Sequence, residues 1–86
     1  MPEICRFFGI VIKMFFDEHN PPPFHAEYSG HLALIDIRNL SAFSGQLPPR
    51  VMGLVIEWAT IHQEEFFADW ERARAQQELQ KIAPLE

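Results

Sequence analysis

Residues 24–38 read Phe24-His25-Ala26-Glu27-Tyr28-Ser29-Gly30-His31-Leu32-Ala33-Leu34-Ile35-Asp36-Ile37-Arg38, and this stretch decides the fold. Two runs of alternating side chains flank Ser29-Gly30, and glycine supplies the positive φ that a two-residue hairpin loop needs. Phe24, Ala26 and Tyr28 share one face of the first run; His25 and Glu27 share the other. If Tyr28 opposes His31, then Ala26 opposes Ala33 and Phe24 opposes Ile35. Both runs then put their apolar residues on one side, and a one-residue slip would destroy that agreement. The expectation is an antiparallel hairpin with strands at Phe24–Tyr28 and His31–Arg38.

Toward the N-terminus, Phe7–Phe16 reads as a further strand. Phe8, Ile10, Ile12, Met14 and Phe16 form a wholly apolar face at period two, with Phe7, Val11, Lys13 and Phe15 on the other. The segment Asp17-Glu18-His19-Asn20-Pro21-Pro22-Pro23 is a connection, because three prolines remove three backbone donors and fix φ. Closing it with Phe16 opposite Phe24 brings Met14 to Ala26 and Ile12 to Tyr28. On the reverse side Phe15 meets His25 and Leu34, and Lys13 meets Glu27 and Leu32. The Lys13–Glu27 contact is a cross-strand ion pair in this register.

Toward the C-terminus, Leu40–Leu47 is a short fourth strand or an irregular connection, with a turn at Gly45. Pro48-Pro49 suits the first positions of a helix, where no backbone donor is needed. Val51, Leu54, Val55, Trp58, Ile61, His62, Phe66 and Trp70 recur at spacings of three and four, the stripe of an amphipathic helix. The helix is expected to run to about Lys81, with an exposed, fraying end. The fold expected is therefore α+β: a three- to four-stranded antiparallel meander packed on one long or two consecutive C-terminal helices. Residues 1–86 form a single domain, β-rich over 1–47 and helical over 48–82.

Composition bounds the function. A chain of 86 residues with 48% hydrophobic and 22% charged residues is one globular domain and not a disordered segment. A net charge of −5 disfavours nucleic acid as a partner of the chain alone. A single cysteine, Cys5, allows no internal disulfide and fits a reducing, cytoplasmic setting. Phe7–Phe16 is too short to span a membrane, and no basic leader precedes it.

Candidate sites are few. His19, His25 and Glu27 are imidazole and carboxylate groups of the kind that ligate zinc or another transition metal. His25 and Glu27 share a strand face, and the proline loop would supply His19; His31 falls on the opposite face. No recognised metal-binding spacing is present, and no cofactor is expected. His25 with Glu27 is also the candidate acid–base pair. The bland alternative is a polar strand face with His25 packed on Phe15. Cys5 lacks a second cysteine and reads as a packed thiol. His62, four residues after Trp58, reads as a boundary histidine against core aromatics, and Trp70 as a packing anchor.

Phe66 and Phe67 diverge by about 100° on a helix, so one of them leaves the core. With Phe7, Val11, Phe15, Leu32 and Leu34 on the outer sheet face, more apolar surface remains than one helix covers, and such surface marks interfaces. Residues 51–70 hold Glu57, Glu64, Glu65 and Asp69 without Lys or Arg. That is either a solvated face or a dock for a basic partner. Phe15, Leu32, Leu34, Phe67, Glu64 and Glu65 are the candidate partner-binding residues.

The order of residues also carries a resemblance. Pro2 through Ile12, then His19-Asn20-Pro21-Pro22-Pro23-Phe24-His25-Ala26-Glu27-Tyr28, then Gly45 through Arg50, and Glu57-Trp58 through His62 to Trp70 resemble the bacterial family known as domain of unknown function number 4160. The likeness runs from residue 2 to about 72, and its most specific part is the His-Pro-Pro-x-Phe-His segment followed by Glu-Tyr. In that family the proline run is usually followed by another histidine, where this chain has Pro23; a site using that histidine would be impaired here. The resemblance implies a small soluble protein from a compact two-gene, toxin–antitoxin-like system, and it transfers no catalytic residue. The function expected is an interaction module with a protein partner encoded nearby. The alternative is a metal-binding or hydrolytic enzyme using His19, His25 and Glu27.

Overall fold

The computed structural model describes residues 3–14 and 23–85. Its elements are β1 (Glu3–Phe7), β2 (Ile10–Lys13), β3 (Pro23–Tyr28), β4 (His31–Asp36), β5 (Ser41–Gly45), α1 (Pro49–Ile61) and α2 (Gln63–Arg74). The strands make one antiparallel sheet in the order β1-β2-β3-β4-β5, with each strand beside its chain neighbour. The fold is α+β as expected, but the meander has five strands, and two helices follow it.

The central hairpin pairs as read: Tyr28 with His31, Ala26 with Ala33 and Phe24 with Ile35. Ser29 and Gly30 both have positive φ, 46° and 84°, the geometry of the type I′ loop that matches strand twist. Leu40–Leu47 supplies a strand, β5.

The expected strand at Phe7–Phe16 is corrected. Phe8 and Gly9 form a second hairpin loop with both φ values positive, 50° and 79°, and Glu3–Phe7 folds back as β1. Across that loop Phe7 pairs with Ile10 and Cys5 with Ile12, so Phe7 belongs to the core face. Phe7 is buried and its ring lies 5.1 Å from that of Trp58, whereas Phe8, placed inside by unbroken alternation, is 60% exposed. A turn between them reverses the parity of every residue that precedes it. Phe15 and Phe16 lie outside the described residues.

The register of β2 on β3 is also corrected. Ile12 pairs with Ala26 and Lys13 with His25, two residues from the expected pairing. A shift of two moves every partner but exchanges no face, so alternation alone cannot detect it. Lys13 still reaches Glu27, diagonally, with Nζ 3.0 Å from Oε2.

One sheet face is covered. Ile10, Ile12, Phe24, Ala26, Ala33 and Ile35 are fully buried, against Val55, Trp58 and Phe66 of the helices. Phe24 stacks on Phe66 at 4.4 Å, and Phe66 meets Trp58 edge-on at 5.0 Å. Pro49 occupies the first turn of α1, with Pro48 as its N-cap. Gln63 fastens the helix junction to the sheet by donating from Nε2 to the carbonyls of Ile37 at 2.9 Å and Arg38 at 3.1 Å.

The helical pattern ends at Arg74, not near Lys81. Gln76 takes φ 58°, Gln76 N–H donates to Ala73 O and Gln77 N–H to Arg72 O, the two bonds of a Schellman stop. Glutamine stands where glycine is usual, so the sequence gives no stop signal. The following segment returns to the sheet, where Ile82 is buried and its N–H donates to Ile4 O at 2.9 Å. Trp58 Nε1–H donates to Ala83 O at 2.7 Å, and Gln80 N–H to Asp69 Oδ1 at 2.9 Å. The expected fraying end is thus a docked tail. No helix among the described residues is long and apolar enough to cross a membrane.

Candidate functional site

On β3, strand alternation puts His25 and Glu27 together on the sheet face away from the helices, as the sequence predicts. Their neighbours there are Lys13, Leu34 and Leu32, by pairing or diagonal contact. Glu27 is committed to Lys13, whose side chain is the better buried of the two, so the carboxylate balances a half-covered ammonium. His25 sits half-buried between Lys13 and Leu34. His31 is exposed beside the Ser29-Gly30 turn, and its register partner Tyr28 belongs to the other sheet face, again as expected. Glu27, Tyr28 and His31 line a shallow surface depression of about 270 Å³ with Gly9 and Gly30 at the turns. His19, the third candidate ligand, lies outside the described residues. Among the described residues no three His, Cys, Asp or Glu side chains are placed to share a metal ion.

Cys5 is buried and free on the core face of β1. Burial pushes its thiol above the usual range, which suits a packed cysteine and not a nucleophile. Beside it, two hydrogen bonds from the Arg6 guanidinium hold the Glu3 carboxyl below its ordinary value.

The candidate partner-binding residues do not form one patch. Leu32 and Leu34 lie on the sheet face away from the helices, Leu32 at 47% exposure and Leu34 half-buried. Glu64 and Glu65 are exposed in the first turn of α2, on the helical side of the molecule. There they also complement the helix dipole, a structural reason for their position. Phe67 is half-buried and packs against the core, so neither phenylalanine of the Phe66-Phe67 pair stands free. Asp69, counted with the acidic run, is buried: Arg72 Nη1 donates to its Oδ1 at 2.7 Å. The exposed acidic set of α1 and α2 up to residue 70 is therefore Glu57, Glu64 and Glu65.

The helix junction carries what the sequence missed. His62 ends α1 and caps α2 with φ −110° and ψ 21°. Its ring packs on Trp58 at 5.6 Å and its Nδ1 pairs with Glu65, the boundary role expected of it. Ile61, assigned to the buried stripe, is 63% exposed. The buried line of α1 is Val51, Val55, Trp58 and Ala59, and at about 100° per residue Ile61 falls roughly a quarter-turn off it. Glu57, one turn earlier, shares its side of the helix. Strict angular accounting within α1 would have found it; a loose three-and-four spacing did not.

A five-stranded meander backed on one face by a helix pair defines a small α+β domain whose second sheet face is turned away from the helices. The family described as Domain of unknown function (DUF4160) matches residues 9–71, well over half of the chain. The protein belongs to that family. Neither the curated proteins nor the solved structures gave a match.

Proposed function

We propose that this protein is an interaction module, one half of a toxin–antitoxin-like pair acting in the cytoplasm, and that the α1–α2 junction receives a basic protein partner. The observation that carries the reading is Ile61, the most exposed large apolar side chain among the described residues, one helical turn from the exposed Glu57, with the exposed Glu64 three residues on in the first turn of α2. Neither glutamate has a cation at ion-pair distance among the described residues. An apolar anchor at a junction that also carries uncompensated carboxylates suits a partner surface with an apolar pocket and Lys or Arg at its rim. Burial of the anchor supplies affinity, and the carboxylates speed encounter and choose the sign of the partner. The pairing of Glu27 with Lys13 favours the helix junction over His25 and Glu27 in this reading.

The test is co-expression with the protein encoded beside this gene, followed by titration calorimetry on the purified pair. Binding should weaken roughly tenfold or more in Ile61→Lys and Glu57→Lys, and the wild-type association rate should fall with added salt. Equal binding by wild type and both variants would overturn the assignment.

A further inference from the structure

We infer that residues 78–85 are a releasable strap, seated in cis on a site that takes an extended polypeptide segment. The strap runs from α2 to β1 with neither helix nor strand of its own. It is held through Gln80 N–H on Asp69 Oδ1, Ile82 N–H on Ile4 O, and Ala83 O, which accepts from Trp58 Nε1–H. Ile82 is its one buried side chain; Leu79 and Leu85 are half-buried, and the other five residues are exposed. A segment with so few anchors gains little against the entropy lost in ordering it, and it opens more readily than the sheet.

Features at the seam and the hinge oppose closure. Asp69 is 1% exposed, and its Oδ2 is buried with no hydrogen-bond partner among the described residues. Seating the strap against Asp69 thus takes water from a carboxylate oxygen and returns no donor to it. A cleft of about 70 Å³ lies along the same seam, between Asp69 and Arg72 of α2 and Gln80, Lys81 and Ile82 of the strap, so packing there is incomplete. At the hinge, Gln76 holds φ 58° where glycine is usual, a strain that is relieved when the strap swings away. The seated strap also states what the site accepts. Asp69 takes a backbone N–H, Ile4 O takes a second one two residues on from a residue whose apolar side chain is buried, and the Trp58 indole takes the next carbonyl. Main-chain contacts with one pocketed side chain, beside a strand at the end of the sheet, are how an extended segment is recognised. A segment of that pattern from outside binds only the open state, and one that also brings a donor to Asp69 Oδ2 fits the site better than the strap does. None of this depends on the helix junction, so Ile61→Lys should leave the opening of the strap unchanged.

Native-state hydrogen exchange on the full chain tests the opening. The Gln80 and Ile82 amides and the Trp58 indole N–H should share one protection factor, about a hundredfold or more below that of the Ala26 and Ile35 amides in the central strands. Gln80→Pro removes one strap donor at an exposed position and should lower protection at Ile82 and at the indole together, about tenfold. A synthetic peptide of residues 77–85 tests the site. The full-length Ile82→Asp variant, its strap without an anchor, should bind the peptide with a change in Trp58 fluorescence and recovered indole protection. Gln80→Pro, which leaves the core untouched, should bind it as well. The wild type, whose own strap competes at high effective concentration, should bind it at least about tenfold more weakly. Strap groups as protected as the sheet, or protection lost one residue at a time from the chain end inward, overturns release as a unit. Peptide bound equally by the wild type and both variants, or by none of them, overturns the site.

Discussion

Replacing Ile82 with alanine tests whether the segment after α2 belongs to the fold. Ile82 is 4% exposed, and its N–H holds Ile4 O at 2.9 Å. Truncation to alanine removes three carbons; at about 0.8 kcal/mol for each buried methylene this is about 2.4 kcal/mol, before any term for the void left behind. The loss has a ceiling, because a tail that no longer repays its own ordering detaches and stops contributing. A destabilisation of about 2–3 kcal/mol follows, large against the roughly 5–15 kcal/mol that holds a domain folded. For a chain of this size it lowers the melting temperature by about 10–20 °C. Urea melts followed by tryptophan fluorescence report it directly, since Trp58 donates its indole N–H to Ala83 O in the same segment. Hydrogen exchange at the Ile82 amide gives a second reading. If Ile82→Ala melts within about 0.5 kcal/mol of the wild type, the range ordinary for surface substitutions, the docked tail is refuted and the frayed helix end of the sequence reading is restored.

Gly45→Ala should be among the most damaging single-carbon additions in the chain. Gly45 sits at φ +74°, and an added Cβ would lie 2.1 Å from Leu32 O. The left-handed backbone alone costs about 1–2 kcal/mol, and moving strand β4 costs more, so a loss above about 2 kcal/mol is expected in denaturant melts; a neutral variant would contradict the β4–β5 geometry. Asp69→Ala strands the Gln80 amide and the Arg72 guanidinium that now share Oδ1, and should cost about 1–3 kcal/mol while loosening the tail. Asp69→Asn, which keeps an acceptor oxygen, should recover part of that loss. Cys5 gives a pH signature. Burial, the largest cause, raises its pKa, so the folded state favours the neutral thiol. That contribution is complete below about pH 8.5, the value for a free cysteine, and is lost as pH rises through the higher folded value. Thiol labelling at pH 8 should be much slower in the folded chain than in urea, and labelling at the free-cysteine rate would place Cys5 outside the core.

The central hairpin was legible because its information is local. Ser29-Gly30 specifies the turn and with it the register, and in that register Phe24, Ala26, Ala33 and Ile35 share a face. The Phe8-Gly9 hairpin was not, because phenylalanine is a rare occupant of positive φ and apolar alternation runs on through it. The stop after Arg74 was hidden for the same kind of reason, with glutamine holding the left-handed position of the Schellman turn. At the candidate sites, the shared face of His25 and Glu27 followed from strand parity. The exposure of Ile61 depended on where α1 lies against the sheet.

By itself, the sequence determined the α+β class with strands before helices, the two faces of β3 and β4, the proline start of α1 and the packing of His62 on Trp58. These follow from dihedral preferences and from side-chain periods that operate within a few residues. Only the tertiary structure decided the two-residue offset of β2, the entry of Phe7 into the core, the docking of Ile82 at β1 and the place of β5 at the end of the strand order. Each of these is a choice among arrangements with the same local preferences. It is settled by which distant surfaces fit together and exclude water, and no stretch of sequence read alone contains both sides of that contact.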